Sequence, residues 1–193
     1  LTRADVTLLC HAATRAMKTG RFPSADDPVD PGEAAALATL AGRLGTAERR
    51  VVTSPARAAR ETAAAFEANP AIDALFDDLD YGRWQGRAIR DVYDEDPEGL
   101  LAWLDGAGGA PRNGESLAAL VGRVMTGLDR QAQAGRCVIV THAIVVKAAL
   151  AGVLNAPLAS VHAMDFEPLS ALVLTRETGQ EQARWRLRVR ATT

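Results

Sequence analysis

Two short runs of apolar, largely β-branched residues each stop abruptly on a histidine. Val6-Thr7-Leu8-Leu9-Cys10 passes into His11-Ala12-Ala13-Thr14, and Cys137-Val138-Ile139-Val140-Thr141 passes into His142-Ala143. Short apolar runs without polar alternation predict strands buried on both faces, here over 5–10 and 137–142. The region 14–30 is basic and then turn-rich, and reads as a loop or short helical segment above the sheet. Pro31-Gly32-Glu33 opens a helix with Ala34, Leu37, Leu40, Ala41 and Leu44 at helical spacing, ending near Gly45. Val51-Val52-Thr53 predicts a second strand. Ser54-Pro55 then reads as an N-cap followed by proline at the first helical position, opening a helix over 56–68 that Asn69-Pro70 stops.

Residues 72–75 predict a third strand, leading into an acidic and aromatic segment over 77–86. Helices are expected around 89–93 and 97–104, followed by a glycine-rich loop over 106–109. Asn113-Gly114-Glu115-Ser116 precedes a long helix with Leu117, Leu120, Val124 and Leu128 on one face, and Gly135 ends it. A helix over 144–154 and late strands over 171–175 and 185–189, toward a sheet edge, complete the pattern. Repeated strand–helix alternation predicts an α/β fold with three α/β/α layers and a mostly parallel central sheet. In such sheets ligands bind outside the carboxyl ends of the strands, where His11 and His142 fall.

The 193 residues suit one domain, 1–193, with no internal repeat or linker. Apolar residues make up 48% and charged residues 24%, an ordinary globular balance. The net charge of -2 implies no basic face, which argues against nucleic acid as a partner. Any anion site must then be a local gathering of arginines. No apolar run is long enough to span a membrane and no signal peptide is expected, so a cytoplasmic protein is the default. Cys10 and Cys137 match neither a disulfide framework nor a zinc pattern. No carboxylate cluster has ligand spacing, so no metal and no cofactor are expected.

Either histidine alone is accounted for as a polar strand end bonded to backbone; their shared placement points further. Arg57, at the start of a helix, suits phosphate through its guanidinium fork and the helix N-terminus. Asp77, Asp78 and Asp80 beside Tyr81 and Trp84 read as a pocket wall, where apolar surroundings can hold a carboxyl protonated as a general acid. Glu115 is a second candidate acid, although Gly-Glu-Ser before a helix also reads as capping.

These segments, in order, resemble the histidine phosphatase superfamily, also called phosphoglycerate mutase-like. Cys10-His11-Ala12-Ala13-Thr14 corresponds to the family's Arg-His-Gly-Glu-Thr. Ser54-Pro55-Ala56-Arg57-Ala58 resembles Ser-Pro-x-x-Arg-Ala with one residue fewer before the arginine, continuing into Glu61-Thr62-Ala63. Phe76 through Gly86 resembles the family's acid segment, with Asp78 for the common glutamate; Gly114-Glu115-Ser116 and Thr141-His142-Ala143-Ile144 match two further motifs.

The resemblance implies a phosphomonoesterase acting on a small phosphorylated metabolite. His11 would attack phosphorus, Asp78 would protonate the departing oxygen, and His142 and Arg57 would complete the catalytic set. Thr14, Arg15, Arg21, Cys10, Ser54, Glu115 and Ala143 would contribute to phosphate or substrate binding, with Arg83, Trp84, Arg112 and His162 toward the substrate side. A mutase fits less well, because the region after Gly86 leaves no room for a long lid.

The main departure is Cys10, which replaces the arginine before the nucleophile. Losing one such contact to developing charge costs about 3–4 kcal/mol, or roughly 10²–10³ in rate. Arg15 or Arg21 swinging in would compensate. Two alternatives stand beside the phosphatase: a weakened or inactive member that binds a phosphorylated ligand or partner, and a Cys10-dependent sulfurtransferase suggested by the Cys-x4-Arg spacing.

Overall fold

The computed structural model describes residues 2–44, 49–105, 109–178 and 184–188. The expected helix stop at Gly45, most of the 106–109 loop and the strand end at Val189 lie outside them. In chain order the elements are β1 (Thr2–Cys10), α1 (Arg15–Lys18), α2 (Ala34–Leu44), β2 (Arg50–Thr53), α3 (Arg57–Ala64), β3 (Ala71–Ile72), α4 (Ile89–Glu95), α5 (Pro97–Leu104), α6 (Leu117–Gln133), β4 (Cys137–Thr141), α7 (Ala143–Leu154), β5 (Ala171–Thr178) and β6 (Trp185–Arg188). The strands form one sheet in the order β3-β2-β4-β1-β5-β6. The first four are parallel, and β5 and β6 run antiparallel at one edge.

Both faces of the central strands are buried, which is why they read as continuous apolar runs. Val6, Leu8, Cys137 and Ile139 pack on one face with Leu120, Val124 and Leu128 of α6 and Val145, Val146 and Ala149 of α7. Leu9, Val51, Val138 and Val140 pack on the other with Ala59 and Ala63 of α3, and with Leu40 and Leu44 of α2 over them. This is the expected three-layer α/β/α arrangement. No described helix is long and apolar enough to cross a membrane.

Three local expectations need correction. Ser54 is not the N-cap of α3; Ala56 holds that position without a side-chain bond. The helix ends at Ala64 rather than reaching 68, as Ala65 and Phe66 close a tight turn onto Thr62 and Ala63. The third strand is only Ala71–Ile72, because the Asp73 carboxylate accepts from the Leu75 amide and bends the chain into a 3-10 turn over Ala74–Phe76.

The acidic segment after that turn is locked against residues 111–115. Arg83 N donates to Arg112 O at 3.1 Å and Glu115 N to Asp80 O at 2.8 Å. Gly82 sits at φ +52°, and a Cβ there would lie 2.3 Å from the Arg112 carbonyl oxygen. Gly82→Ala is therefore expected to destabilise the fold by about 2–3 kcal/mol, combining left-handed strain with overpacking. Urea unfolding at neutral pH checks this, and an unchanged midpoint would contradict it.

Candidate functional site

Strands β2, β4 and β1 are parallel neighbours, and the residues just past their carboxyl ends are Ser54, His142 and His11. The ladder bonds continue one residue further: Ser54 N donates to Val140 O at 2.9 Å, and His11 N to Thr141 O at 2.8 Å. Register alone thus brings together residues 11, 54 and 142. The two imidazoles meet edge to face with centroids 4.9 Å apart.

The hydrogen bonds assign each tautomer. His11 Nδ1 lies 2.7 Å from Ala12 O, which can only accept, so Nδ1 carries the proton and Nε2 keeps a free lone pair. Ser54 Oγ donates its one proton to Asp77 Oδ1 at 2.9 Å, so the 2.8 Å contact with His142 Nε2 requires that nitrogen to donate. His142 Nδ1 is then a buried lone pair, 3.3 Å from Asp78 Oδ2. Burial, then the charge of the neighbouring His142, pushes His11 down to about 4. Burial likewise pushes His142 down to about 4, against the opposing pull of Asp77. Both rings are neutral at physiological pH.

Asp78 behaves in the opposite way. Burial raises its carboxyl to about 7, outweighing the lowering effects of His11 and the Leu79 amide. The folded protein therefore holds a proton on Asp78 that the unfolded chain releases near its ordinary value of 3.8. The stabilisation this gives is full below that value and is lost as pH rises toward 7. The histidines act the other way, stabilising above 6.5 and losing that contribution as pH falls toward 4.

Comparing wild type with Asp78→Asn isolates the carboxyl, since both carry the same histidines. The stability of wild type relative to the variant is expected to fall by about 1.4 kcal/mol per pH unit as pH rises between about 4.5 and 6.5. Denaturant unfolding of both across that range measures it, and a constant difference would show Asp78 ionised throughout.

Behind the acid loop, Arg123 of α6 donates to the carbonyls of Leu75, Asp77 and Asp78 at 3.0, 2.9 and 2.8 Å. Glu115 clasps the same guanidinium at 2.7 and 2.8 Å. Glu115 is thus a structural counter-ion and not a rival acid. Arg123 escaped the sequence reading; its only signal there is a charge beside the apolar stripe of Leu120 and Val124.

Thr14 and Ala143 join His11, His142 and Asp78 around a single cavity of about 450 Å³. Thr14 also caps α1, its Oγ1 accepting from Met17 N at 3.3 Å. The expected cations do not join them. Arg57 is half exposed and turned outward, its Nε 2.7 Å from Glu61 Oε1. The next residue, Ala58, faces the cavity in its place. Arg15 is exposed, and Arg21 donates to Gly86 O at 3.1 Å on the surface, so neither compensates for Cys10.

Cys10 itself is buried in the core, and burial pushes its thiol up, the opposite of what a thiolate nucleophile needs. Arg83 is exposed, Arg112 pairs with Asp96, Trp84 packs on Phe22 and Trp103, and His162 stacks on Trp103. None of these four lines the cavity. Residues the sequence reading did not assign do line it, among them Asp27, Gln85 and Ala58. Among the described residues the lining includes Asp27, Asp77, Asp78 and Asp80 and no lysine or arginine.

The chain matches the family model of the histidine phosphatase superfamily (branch 1) over residues 6–188. A bifunctional protein of Mycobacterium tuberculosis is 36% identical over 100 residues, covering 50% of this chain and 27% of that protein. The chain therefore spans only about a quarter of the length of this curated relative. Among solved structures, one called mycobacterial hydrolase 1 superposes with a TM-score of 0.85 at 22% identity, covering 97% of each chain. A mycobacterial glucosyl-3-phosphoglycerate phosphatase has a TM-score of 0.82 at 24% identity, covering 96% and 98%. A phosphoserine phosphatase from Entamoeba histolytica has a TM-score of 0.81 at 16% identity, covering 95% and 94%. At these identities the likeness is one of fold.

Proposed function

The chain belongs to branch 1 of the histidine phosphatase superfamily, and within it we propose a member that binds a small ligand in this cavity without turning over ordinary phosphomonoesters. The observation that carries this reading is the cavity lining, with four aspartates, two neutral histidines and, among the described residues, no cationic side chain. Phosphoryl transfer is mostly positioning and charge stabilisation. A phosphomonoester dianion entering here would face Asp27, Asp77 and Asp80 with no arginine opposite. Two unit charges 4 Å apart interact by about 4 kcal/mol at an effective dielectric of 20, and here each such contact opposes binding. Both positions that would supply a guanidinium are occupied by small side chains, Cys10 and Ala58.

The second reading is slow hydrolysis through a phosphohistidine. It is favoured by one observation: a protonated Asp78 within the same cavity as the free Nε2 lone pair of His11. His11 Nε2 would attack phosphorus while Asp78 protonates the departing oxygen.

Hydrolysis of p-nitrophenyl phosphate by wild type and His11→Ala, in EDTA at pH 6.5, separates the two. The binding reading expects both proteins to sit at the same background rate. Turnover by wild type that disappears in His11→Ala would overturn it and establish the second.

A further inference from the structure

The proton that burial keeps on Asp78 has one partner among the described residues. Asp78 Oδ1 accepts from the Leu79 amide at 2.8 Å, which leaves Oδ2 to carry the hydrogen. His142 Nδ1, the lone-pair nitrogen of that ring, lies 3.3 Å from Oδ2. The line of contacts continues outward from the ring. His142 Nε2 donates to Ser54 Oγ at 2.8 Å, and Ser54 Oγ donates to Asp77 Oδ1 at 2.9 Å. The same hydroxyl accepts from the Ala56 amide at 3.1 Å, so its one donor and two acceptor positions are all filled. Two carboxyls are thus joined through an imidazole and a hydroxyl, with every hydrogen pointing from Asp78 toward Asp77.

The other titratable groups around this line do not compete for it. Arg123, behind it on α6, commits all five N–H donors to the carbonyls of Leu75, Asp77 and Asp78 and to Glu115. His11, edge to face with His142, has its proton on the Ala12 carbonyl. Asp27 and Asp80 line the same cavity and accept from the Ser24 and Gly82 amides. Tyr81 lines it too, its hydroxyl kept neutral by burial and by the charge of Asp78.

Reversing the hydrogens gives a second complete arrangement. When Asp78 ionises, Nδ1 takes a hydrogen and donates it to Oδ2. Nε2 then holds the lone pair, and the Ser54 hydroxyl turns from Asp77 Oδ1 to meet it. In balance, the Asp78 O–H and His142 Nε2–H bonds break, one Nδ1–H bond forms, and one proton leaves for water. The imidazole is neutral in both states and only its tautomer changes. Asp77 Oδ1 keeps the Asp78 amide at 2.9 Å but loses the hydroxyl.

We propose that Ser54 is a positioning residue that couples the two carboxyls: ionisation of Asp78 reverses the His142 tautomer, and Ser54 passes the reversal on by releasing Asp77 Oδ1 into the cavity. A group that binds at Asp78 therefore alters the acceptor that Asp77 offers. The coupling holds whether the cavity binds or hydrolyses, since it depends on bonds within the wall and not on the ligand.

Solution NMR of the whole chain tests both halves. Ring-nitrogen shifts of isotope-labelled histidine distinguish the two neutral tautomers from the imidazolium between pH 5.5 and 8.5. His142 is expected to pass from the Nε2–H to the Nδ1–H form, the ratio changing about tenfold per pH unit around a midpoint near 7. His11 should stay Nδ1–H throughout. Asp78→Asn, whose carboxamide donates a hydrogen but does not ionise, should hold His142 in the Nε2–H form. The carboxyl-carbon resonance of Asp77 is expected to step at the same midpoint, and Ser54→Ala to abolish the step while the charge on Asp78 remains. A His142 that keeps Nε2–H across the range, or turns into the imidazolium, overturns the tautomer reversal. An Asp77 resonance without a step in the wild type, or with a step that survives in Ser54→Ala, overturns the role of Ser54.

Discussion

A Cys10→Arg/Ala58→Arg variant is expected to hydrolyse p-nitrophenyl phosphate about 10⁴-fold faster than the parent chain. Cys10 ends β1 directly before His11, and Ala58, in the first turn of α3, lines the cavity. An arginine at each would aim a guanidinium at a phosphoryl group held between His11 and His142. One preorganised donor to developing transition-state charge contributes roughly 10²–10³ in rate, so 10⁴ is the low end for two. Ala58→Arg alone is expected to give about 10², because the Cys10 site is less accommodating. The Cys10 thiol lies in the core, close enough to Lys147 for that ammonium to influence it. Steady-state kcat/KM is the measurement, with His11→Ala added to the same background as the control. If the double variant keeps its cooperative unfolding and stays silent, missing charge is not what separates this site from a phosphatase.

Arg123→Met is expected to be the most damaging substitution for stability, by about 3–5 kcal/mol. The guanidinium is largely buried, and removing it strands three carbonyl oxygens together with the Glu115 carboxylate. Methionine fills much of the volume but donates nothing. The double variant Arg123→Met/Glu115→Met should recover part of the loss, since it removes the uncompensated charge. Urea unfolding of the three variants measures both effects. A single substitution that costs under about 1 kcal/mol would mean the Arg123 cluster behaves like a surface ion pair.

The sheet and the two histidines were legible because a strand buried on both faces has an unmistakable pattern, and parallel neighbours must end side by side. Asp78 was legible for a related reason, as a carboxyl set among apolar and aromatic residues. Arg57 was misplaced by matching a motif with a residue removed. Each step along a helix turns the side chain by about 100°, and the frame set by Glu61-Thr62-Ala63 directs Ala58 inward and Arg57 outward. Ser54 was misread because its local pattern fits a cap, while its hydroxyl accepts from the Ala56 amide, two residues short of the role expected of it, and also bonds residues 77 and 142. Arg123 was invisible for a different reason. Apart from Glu115, its partners lie 45 to 48 residues away and are backbone carbonyls, which leave no residue-type signature.

The pairing of β1 also bears on how the chain is made. Val6 through Cys10 pair with residues 137–141 on one side, and Thr2 through Leu9 pair with residues 171–178 on the other. During synthesis the most apolar early segment therefore leaves the ribosome with both hydrogen-bonding edges open. Neither partner exists until most of the chain has been translated. Long-range pairings of this kind are slow to close and leave unpaired strand edges open to other chains. Nascent chains stalled before residue 137 are consequently the species most in need of a chaperone, and the cavity between His11 and His142 comes into being only after they have passed that point.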